Sequence, residues 1–197
     1  DTRIMPCLIV VYLIVAALCA RRVMKCQATA QVLYTGWVPV VCSMCIISLG
    51  GMVLDKASRA FPRMPAFQPV MNGAGGNLVA VQASRMATHL HSRSRPGDLQ
   101  QDDDTGRGVL PWCVFMGPSR HSRTSRVLML LVVPGHLLFV WAILKTKGGA
   151  VTPSFLGLYL LGALLQEWFL LYACMHLVHF QWRLGVDPDN AAVPFLT

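Results

Sequence analysis

Charged residues are scarce in this sequence. Asp, Glu, Lys and Arg together make up 13% of its 197 residues, and only nine of these side chains are acidic. Soluble domains carry about a quarter charged residues, so this scarcity argues against a soluble globular protein. The chain is instead 54% hydrophobic, with several apolar runs close to the length of a bilayer span. The composition predicts an all-α, polytopic transmembrane helix bundle.

The sequence also lacks the motifs of common enzymes. It contains no Walker phosphate loop, no dinucleotide-binding glycine fingerprint, and no recognisable set of nucleophile, base and orienting residue. Its seven cysteines are an odd number and most lie inside apolar runs, so they supply no disulfide framework. We therefore expect neither an enzyme nor a bound cofactor.

The positive charges lie between the apolar runs. The formal net charge is +8, yet the Lys and Arg residues occupy the positions that orient membrane helices, so no nucleic-acid partner is expected. Segments 21–31, 91–126 and 181–190 hold ten of these residues, whereas segments 55–63 and 145–153 hold five. The positive-inside rule therefore places the first three segments in the cytoplasm.

Apolar runs and turn residues predict the order of the helices. The expected helices cover 4–20, about 32–54, 64–90, 127–144 and 154–182, and a further helix starts at about residue 190. The hydrophilic segment 91–126 is expected to be a flexible cytoplasmic loop. Its acidic cluster Asp102–Asp104 is read as solvated rather than as a cation site, although the sequence does not settle its role.

The most unusual segment is Pro69–His91, which reads PVMNGAGGNLVAVQASRMATHLH. The prolines and glycines at its front predict a helix that is broken or late-starting at Asn72–Asn77. Broken backbone leaves carbonyl and amide groups unpaired, and a bilayer tolerates them only where protein buries them or where they line a water-filled cavity. This stretch is therefore the predicted permeation path.

The second half of that segment is amphipathic. At helical spacing Asn77, Ser84, Thr88 and His91 fall on one stripe, and the apolar residues take the opposite side. Within a membrane protein, such a polar stripe should face a bundle interior or an aqueous path. The alternative is an amphipathic helix that lies in the membrane interface.

Two ionisable residues fall within predicted spans. His136 follows Pro134 and Gly135 in the middle of a helix, where it is either functional or bonded to a carbonyl of a neighbouring helix. Glu167 lies at the centre of the longest span. There it is either a proton or cation ligand or a neutral hydrogen-bond donor between helices.

Three segments carry a family resemblance. PVMNGAGGNLVAVQASR at 69–85, VVPGH at 132–136 and DPDNAAVPFLT at 187–197 together resemble solute carrier family 41, relatives of the bacterial MgtE magnesium channels. The resemblance implies two MgtE-type repeats of about five helices each. Residues 32–197 then resemble the second repeat and residues 1–31 the last helix of the first repeat with a cytoplasmic linker, so the sequence is expected to be a segment that is incomplete at both ends.

The resemblance also implies a magnesium path between the second and fifth helices of the repeat. Its oxygen ligands would be the carbonyls of Gly73, Gly76, Val193 and Thr197, with an Asp four residues beyond Thr197 offsetting the charge. Asn72 and Asn77 would bond ion-bound water or cap the resumed helix. Further candidate contacts to the ion are Asp189, Asn190, Glu167 and His136.

The function implied by the resemblance is transport of Mg²⁺ as a channel or an exchanger, with Na⁺ as the counter-ion in the exchanger case. The rival interpretation is a non-conducting, truncated membrane subunit with an assembly or interaction role. The expected partners are the lipid bilayer and a second MgtE-type repeat, either the missing half or another copy. The expected location is the plasma membrane, with the mitochondrial inner membrane as the alternative.

Overall fold

The structure, a computed structural model, describes residues 4–26, 29–30, 36–62, 64–98, 110–148 and 151–196. This part of the chain is almost entirely helical and contains no strand, so the predicted all-α bundle is confirmed. A short 3₁₀ turn at Met64–Ala66 separates the second and third helices. The principal helices are α1 (Ile4–Val23), α2 (Trp37–Ala60), α3 (Gln68–His91), α4 (Pro111–Met116), α5 (Arg120–Lys147), α6 (Pro153–Arg183) and α7 (Pro188–Leu196).

Four of the described helices are long and apolar enough to cross a membrane. They are α1, α2, α6 and the part of α5 from Arg120 to Thr146. At about 1.5 Å per residue, each of them reaches or approaches the thickness of the hydrocarbon core. The chain is therefore a multi-pass membrane protein.

Helices α3 and α6 form the centre of the bundle. Val79 and Met86 of α3, together with Leu171, Val178 and Trp182 of α6, are each at most 1% exposed. Helices α5 and α7 pack against both of them. Because lipid chains are as apolar as these side chains, close packing contributes more to this bundle than exclusion from water.

The first two helices contribute little to that core. None of the residues of α1 is buried, and those buried in α2 are Pro39 and Ser43. Their large apolar side chains are exposed. This is the pattern expected of helices whose surfaces contact lipid.

Helix α3 runs without interruption through the glycine-rich stretch. Residues 72–77 are α-helical, and the positive φ values of the described residues occur elsewhere, at Gly97, Gly148 and Gly185. The predicted break at Asn72–Asn77 is therefore wrong. A helical glycine costs about 1 kcal/mol relative to alanine, which packing against a neighbouring helix offsets. The interruption comes earlier, at the 3₁₀ turn, and Pro69 lies in the first turn of α3, where proline is tolerated.

The last part of segment 91–126 is helical rather than a flexible loop. Helix α4 lies within it and α5 begins at Arg120, where the Ser119 hydroxyl accepts a hydrogen bond from the Ser122 backbone N–H at 3.1 Å. Ser122 and Ser125 are buried. The Ser and Arg repeat was misleading because a serine cap and one packed face support a helix despite a hydrophilic composition. The cluster Asp102–Asp104 lies outside the described residues.

The polar side of α3 faces away from this bundle. Asn77, Ser84, Arg85 and Thr88 are exposed, while the apolar side packs inward. The prediction that the polar side faces the bundle interior is therefore wrong for these four residues, and their exposure to an aqueous path stays a prediction. Gln82, which borders the stripe, is buried and donates to the His121 carbonyl of α5 at 3.3 Å. The alternative of a separate interfacial helix does not fit, because α3 packs against α5, α6 and α7.

Gly73 and Gly75 form a matched pair that tests the continuity of α3. A Cβ on Gly73 would meet no atom within 4 Å, so Gly73→Ala should raise the free energy of unfolding by about 0.5–1 kcal/mol. A Cβ on Gly75 would lie 3.2 Å from Gln166 Nε2, so Gly75→Ala should lower the free energy of unfolding. Unfolding in detergent micelles, followed by circular dichroism, measures both effects. A destabilised Gly73→Ala variant would show that the backbone there is not helical.

Candidate functional site

A cleft of about 180 Å³ lies between four helices. Its polar lining comes from Ser43 of α2, Asn72 and Gly76 of α3, and Gln166 of α6. Its apolar lining comes from α2, α6 and α7, namely Ile46, Ile47, Leu170, Pro194, Phe195 and Leu196. A space of this size with several polar groups can hold ordered water molecules.

Helices α3 and α6 approach each other closely at Gly75. The Gln166 Nε2 group donates a hydrogen bond to the Met71 carbonyl at 3.2 Å. A Cβ on Gly75 would lie 3.2 Å from Gln166 Nε2 and 3.4 Å from Glu167 Oε2. Glycine is therefore needed here for a close helix contact, as is common between membrane helices.

The structure places the four predicted α3 residues at or beside this cleft. Asn72 and Gly76 line it, and Gly73 and Asn77, which each follow one of these residues by one position, are exposed. Neither asparagine caps a helix start, because α3 already begins at Gln68. The prediction of a capping role is therefore wrong, and a role in bonding ion-bound water stays a prediction.

Helical continuity also changes what the glycine carbonyls can offer. In an α-helix each carbonyl accepts a hydrogen bond from the amide four residues further on. The carbonyls of Gly73 and Gly76 are therefore already paired, and an ion or water could use only the second lone pair of each. Side-chain oxygens consequently become the more accessible ligands of this cleft.

Helix α7 supplies the facing wall of the cleft. Val193 is half-buried, and the three residues that follow it, at 194–196, line the cleft. Thr197 lies outside the described residues. Asn190 lies in the first turns of α7, where its backbone is described but its side chain is not. The second and fifth helices of the expected repeat thus meet at one cleft.

Glu167 lies inside the bundle and not in the cleft lining. It is 1% exposed, and neither of its carboxyl oxygens has a hydrogen-bond partner. Its Oε2 atom faces the backbone of α3 at Gly75. Among the described residues, the predicted interhelical hydrogen bond from a neutral Glu167 is not formed, and its ligand role stays a prediction.

His136 connects α5 to α6. Its Nδ1 atom lies 2.8 Å from the Tyr159 hydroxyl oxygen, and the two rings meet edge to face. His136 is buried and does not line the cleft. Of its two predicted roles, the structure supports the packing role, with a tyrosine hydroxyl as the partner rather than a carbonyl.

A second polar cluster lies where α3 ends and α7 begins. His91 Nε2 is 3.1 Å from Asp187 Oδ1, and the Asp189 backbone N–H donates to the same oxygen at 3.1 Å. Potential ligand atoms of His91, Asp187 and Asp189 all lie within 4.8 Å of one another. Asp189, a predicted candidate, therefore belongs to this cluster rather than to the cleft.

Sequence reasoning missed two of these arrangements. The contact between His91 and Asp187 joins residues that are 96 positions apart, and no local pattern signals it. The other is the hydrogen bond from Gln166 to the Met71 carbonyl, which joins residues 95 positions apart. A polar amide next to a carboxyl within an apolar helix is a signal that could have marked it as an interhelical contact.

A bundle of membrane-spanning helices that encloses a polar cleft is the architecture of channels and transporters. The profile of the MgtE family, described as a divalent cation transporter, matches residues 68–197. The chain therefore belongs to the MgtE family, and its resemblance to solute carrier family 41 is confirmed.

Curated relatives give the same result. The chain is 43% identical over 177 residues to human solute carrier family 41 member 2, a match that covers 88% of this chain and 30% of that protein. It is 40% identical over 171 residues to mouse solute carrier family 41 member 3, covering 85% of this chain and 35% of that protein. The chain thus spans about a third of the length of these curated relatives. No solved structure matches it.

Asp187 offers a test of the polar cluster at the start of α7. Asp187→Ala removes the acceptor for the Asp189 N–H and the contact with His91, so it should destabilise the chain by about 1–2 kcal/mol. Asp187→Asn keeps a side-chain oxygen at the helix start and should cost less. Thermal unfolding in detergent compares the two variants, and equal losses would show that the hydrogen bond to Asp189 contributes nothing.

Proposed function

We propose that this chain forms one wall of a magnesium path that follows the cleft between α3 and α7. The observation that carries the proposal is the juxtaposition of Asn72 and Gly76 with the residues of α7 that follow Val193. These segments lie far apart in the sequence. Both belong to the motifs that resemble the ion path of MgtE-type proteins.

The chemistry of the cleft suits a hydrated cation. Mg²⁺ prefers six oxygen ligands and gives up its water reluctantly, so a path for it needs groups that bond the bound water. Ser43 and Asn72 supply such oxygens; the Ser43 hydroxyl donates to the Val40 carbonyl at 2.8 Å and retains its acceptor capacity. The described lining of the cleft carries no full charge.

The remaining ligands follow the family resemblance. The Gly73 and Gly76 carbonyls would share their second lone pairs with water, and Asn77 would extend the path along the exposed side of α3. The carbonyls of Val193 and Thr197 would complete the opposite wall.

A second MgtE-type repeat is the proposed partner of the exposed side of α3. Asn77, Ser84, Arg85 and Thr88 form a polar surface that lipid tails would leave unsatisfied. The curated relatives are long enough to carry another repeat of this size. The second repeat would be either another part of the same polypeptide or a second copy, and together the two would close a water-filled path.

The transported ion and the membrane complete the proposal. Mg²⁺ is the proposed substrate, with Na⁺ as the counter-ion if the protein works as an exchanger. The plasma membrane is the proposed location, with the mitochondrial inner membrane as the alternative. Immunofluorescence of the natural protein with markers for both membranes decides between these locations.

Gly76→Leu tests the path directly. A leucine side chain would enter the cleft, so magnesium flux in cells that express the full-length protein should be largely lost. The matched control is Gly51→Leu on α2, where an added Cβ meets nothing within 4 Å and flux should persist. The measurement is the signal of a magnesium-sensitive dye after an imposed gradient, normalised to the amount of protein in the membrane.

Two other outcomes would change the conclusion. If Gly76→Leu transports as well as the wild type, the cleft is a packing feature and not the path. If the wild-type protein reaches the membrane and moves no magnesium, the alternative of a non-conducting assembly subunit replaces the proposal.

A further inference from the structure

Glu167 is a buried acid that the proposed path leaves unused. It is the only glutamate in the chain, and it lies near the middle of α6, the longest described helix. It is 1% exposed, and both of its carboxyl oxygens are buried without a hydrogen-bond partner. An ionised carboxylate in such surroundings is strongly disfavoured unless something offsets its charge.

No described residue offsets that charge. The helices packed against α6 are α3, α4, α5 and α7. Their charged or titratable side chains include Arg85, His89 and His91 on α3, Arg126 and His136 on α5 and Asp189 on α7, and Arg126, the closest of the α5 pair to the level of Glu167, is exposed. On α6 itself, the titratable side chains of Tyr172, Cys174 and His176 lie between one and three turns beyond Glu167. None of these groups forms a salt bridge or a hydrogen bond with Glu167 within the described ranges.

The spacing along the helices explains why these groups do not reach Glu167. Arg85 lies ten residues after Gly75, which is about 15 Å along α3. His136 bonds Tyr159, which precedes Glu167 by eight residues, or about 12 Å along α6. Asp189 lies with His91 at the far end of α3. Within the part of the chain that the structure describes, no charged side chain is therefore paired with this carboxyl.

The close packing around the Glu167 carboxyl favours a proton over a metal ion as its ligand. A bound metal ion needs several oxygen ligands and room to hold them. Here the Met71 carbonyl is engaged by Gln166, and even one added carbon at Gly75 would lie only 3.4 Å from Glu167 Oε2. Glu167 does not border the cleft. A proton needs no such space, because it forms an O–H bond on the carboxyl itself.

We propose that Glu167 is a proton-binding site and that its proton is exchanged for the transported cation. The inference rests on the proposed magnesium path and takes the proton, in place of Na⁺, as the exchanged ion. In the packed arrangement the carboxyl holds the proton; when α3 and α6 separate, water reaches the group, the O–H bond breaks and the proton leaves on water. The electron pair stays on the carboxylate, whose negative charge then favours a cation at the adjacent Gly76 wall.

Glu167→Gln separates proton exchange from packing, because glutamine has nearly the same shape as the protonated acid and cannot release a proton. The full-length protein is reconstituted in liposomes that contain a magnesium-sensitive dye or a pH-sensitive dye. In the wild type, an inward magnesium gradient should drive protons outward, and an outward proton gradient should speed magnesium entry. In Glu167→Gln, proton movement and the effect of the proton gradient on magnesium entry should be lost, and downhill magnesium flux should fall because no carboxylate forms to favour the cation at the Gly76 wall.

The control is Asp55→Asn, which removes an exposed carboxylate that is paired with Arg59 outside the α3–α6 contact. This variant should keep proton-linked magnesium flux. Proton movement that persists in Glu167→Gln would overturn the proposal, and so would magnesium entry that still responds to the proton gradient in that variant.

The failure of this inference differs from a failure of the proposed function. A wild-type protein that carries magnesium without moving protons, or that responds only to a sodium gradient at fixed pH, rules out proton exchange and leaves the magnesium path intact. A wild-type protein that carries no magnesium under any gradient contradicts the proposed function itself.

Discussion

The close contact between α3 and α6 at Gly75 determines much of the geometry of this chain. The missing side chain lets Gln166 reach the Met71 carbonyl and brings Glu167 against the backbone of α3. In lipid there is no gain from removing apolar surface from water, so such close packing and a few interhelical hydrogen bonds must hold the helices together. The cleft lies beside this contact because Gly76, the next residue, turns toward it.

An uninterrupted α3 has consequences for how an ion can be held. A broken helix would present free carbonyls, as discontinuous membrane helices do. This helix instead pairs its carbonyls internally and places an amide side chain, Asn72, in the cleft. Uncharged oxygens bind a cation weakly, which suits an ion that keeps its water shell. Mg²⁺ loses water slowly, and a site that bound the ion too tightly would not release the ion.

Parts of the fold follow from sequence with little ambiguity. The apolar run expected over 154–182 is observed as Pro153–Arg183, because Thr152 caps its start and a long hydrophobic stretch has few alternatives in a bilayer. The start of α5 was harder to predict, since its Ser and Arg residues are typical of a loop and only their packing makes them helical. The 31–35 region, where α2 was expected to begin, lies outside the described residues.

The candidate site was predictable only in part, because it depends on contacts between residues that are far apart in the sequence. Glycines in a membrane helix indicate either a break or a close approach, and the choice depends on the facing helix. At Gly75 the facing residues are Gln166 and Glu167, about ninety positions away in sequence, so no local pattern could decide. The family motifs identified Asn72 and Gly76 as site residues. The exposure of Asn77, Ser84 and Thr88, in contrast, depends on which face of α3 packs against α6, and the local sequence does not determine that face.

Two adjacent glycines give α3 two different neighbours. Gly75 faces the buried carboxyl of Glu167, and Gly76 borders the neutral cleft, so the proposed proton site and the proposed ion path are separated by one helix backbone. Gln166 donates to the Met71 carbonyl beside Gly75, and about one turn further along α3 the Cys174 thiol donates to the Val79 carbonyl at 4.0 Å. A small separation of the two helices would break the Gln166 bond, admit water to Glu167 and widen the cleft in one movement. Proton release and ion entry would then be linked by geometry alone, without a chain of intermediate residues.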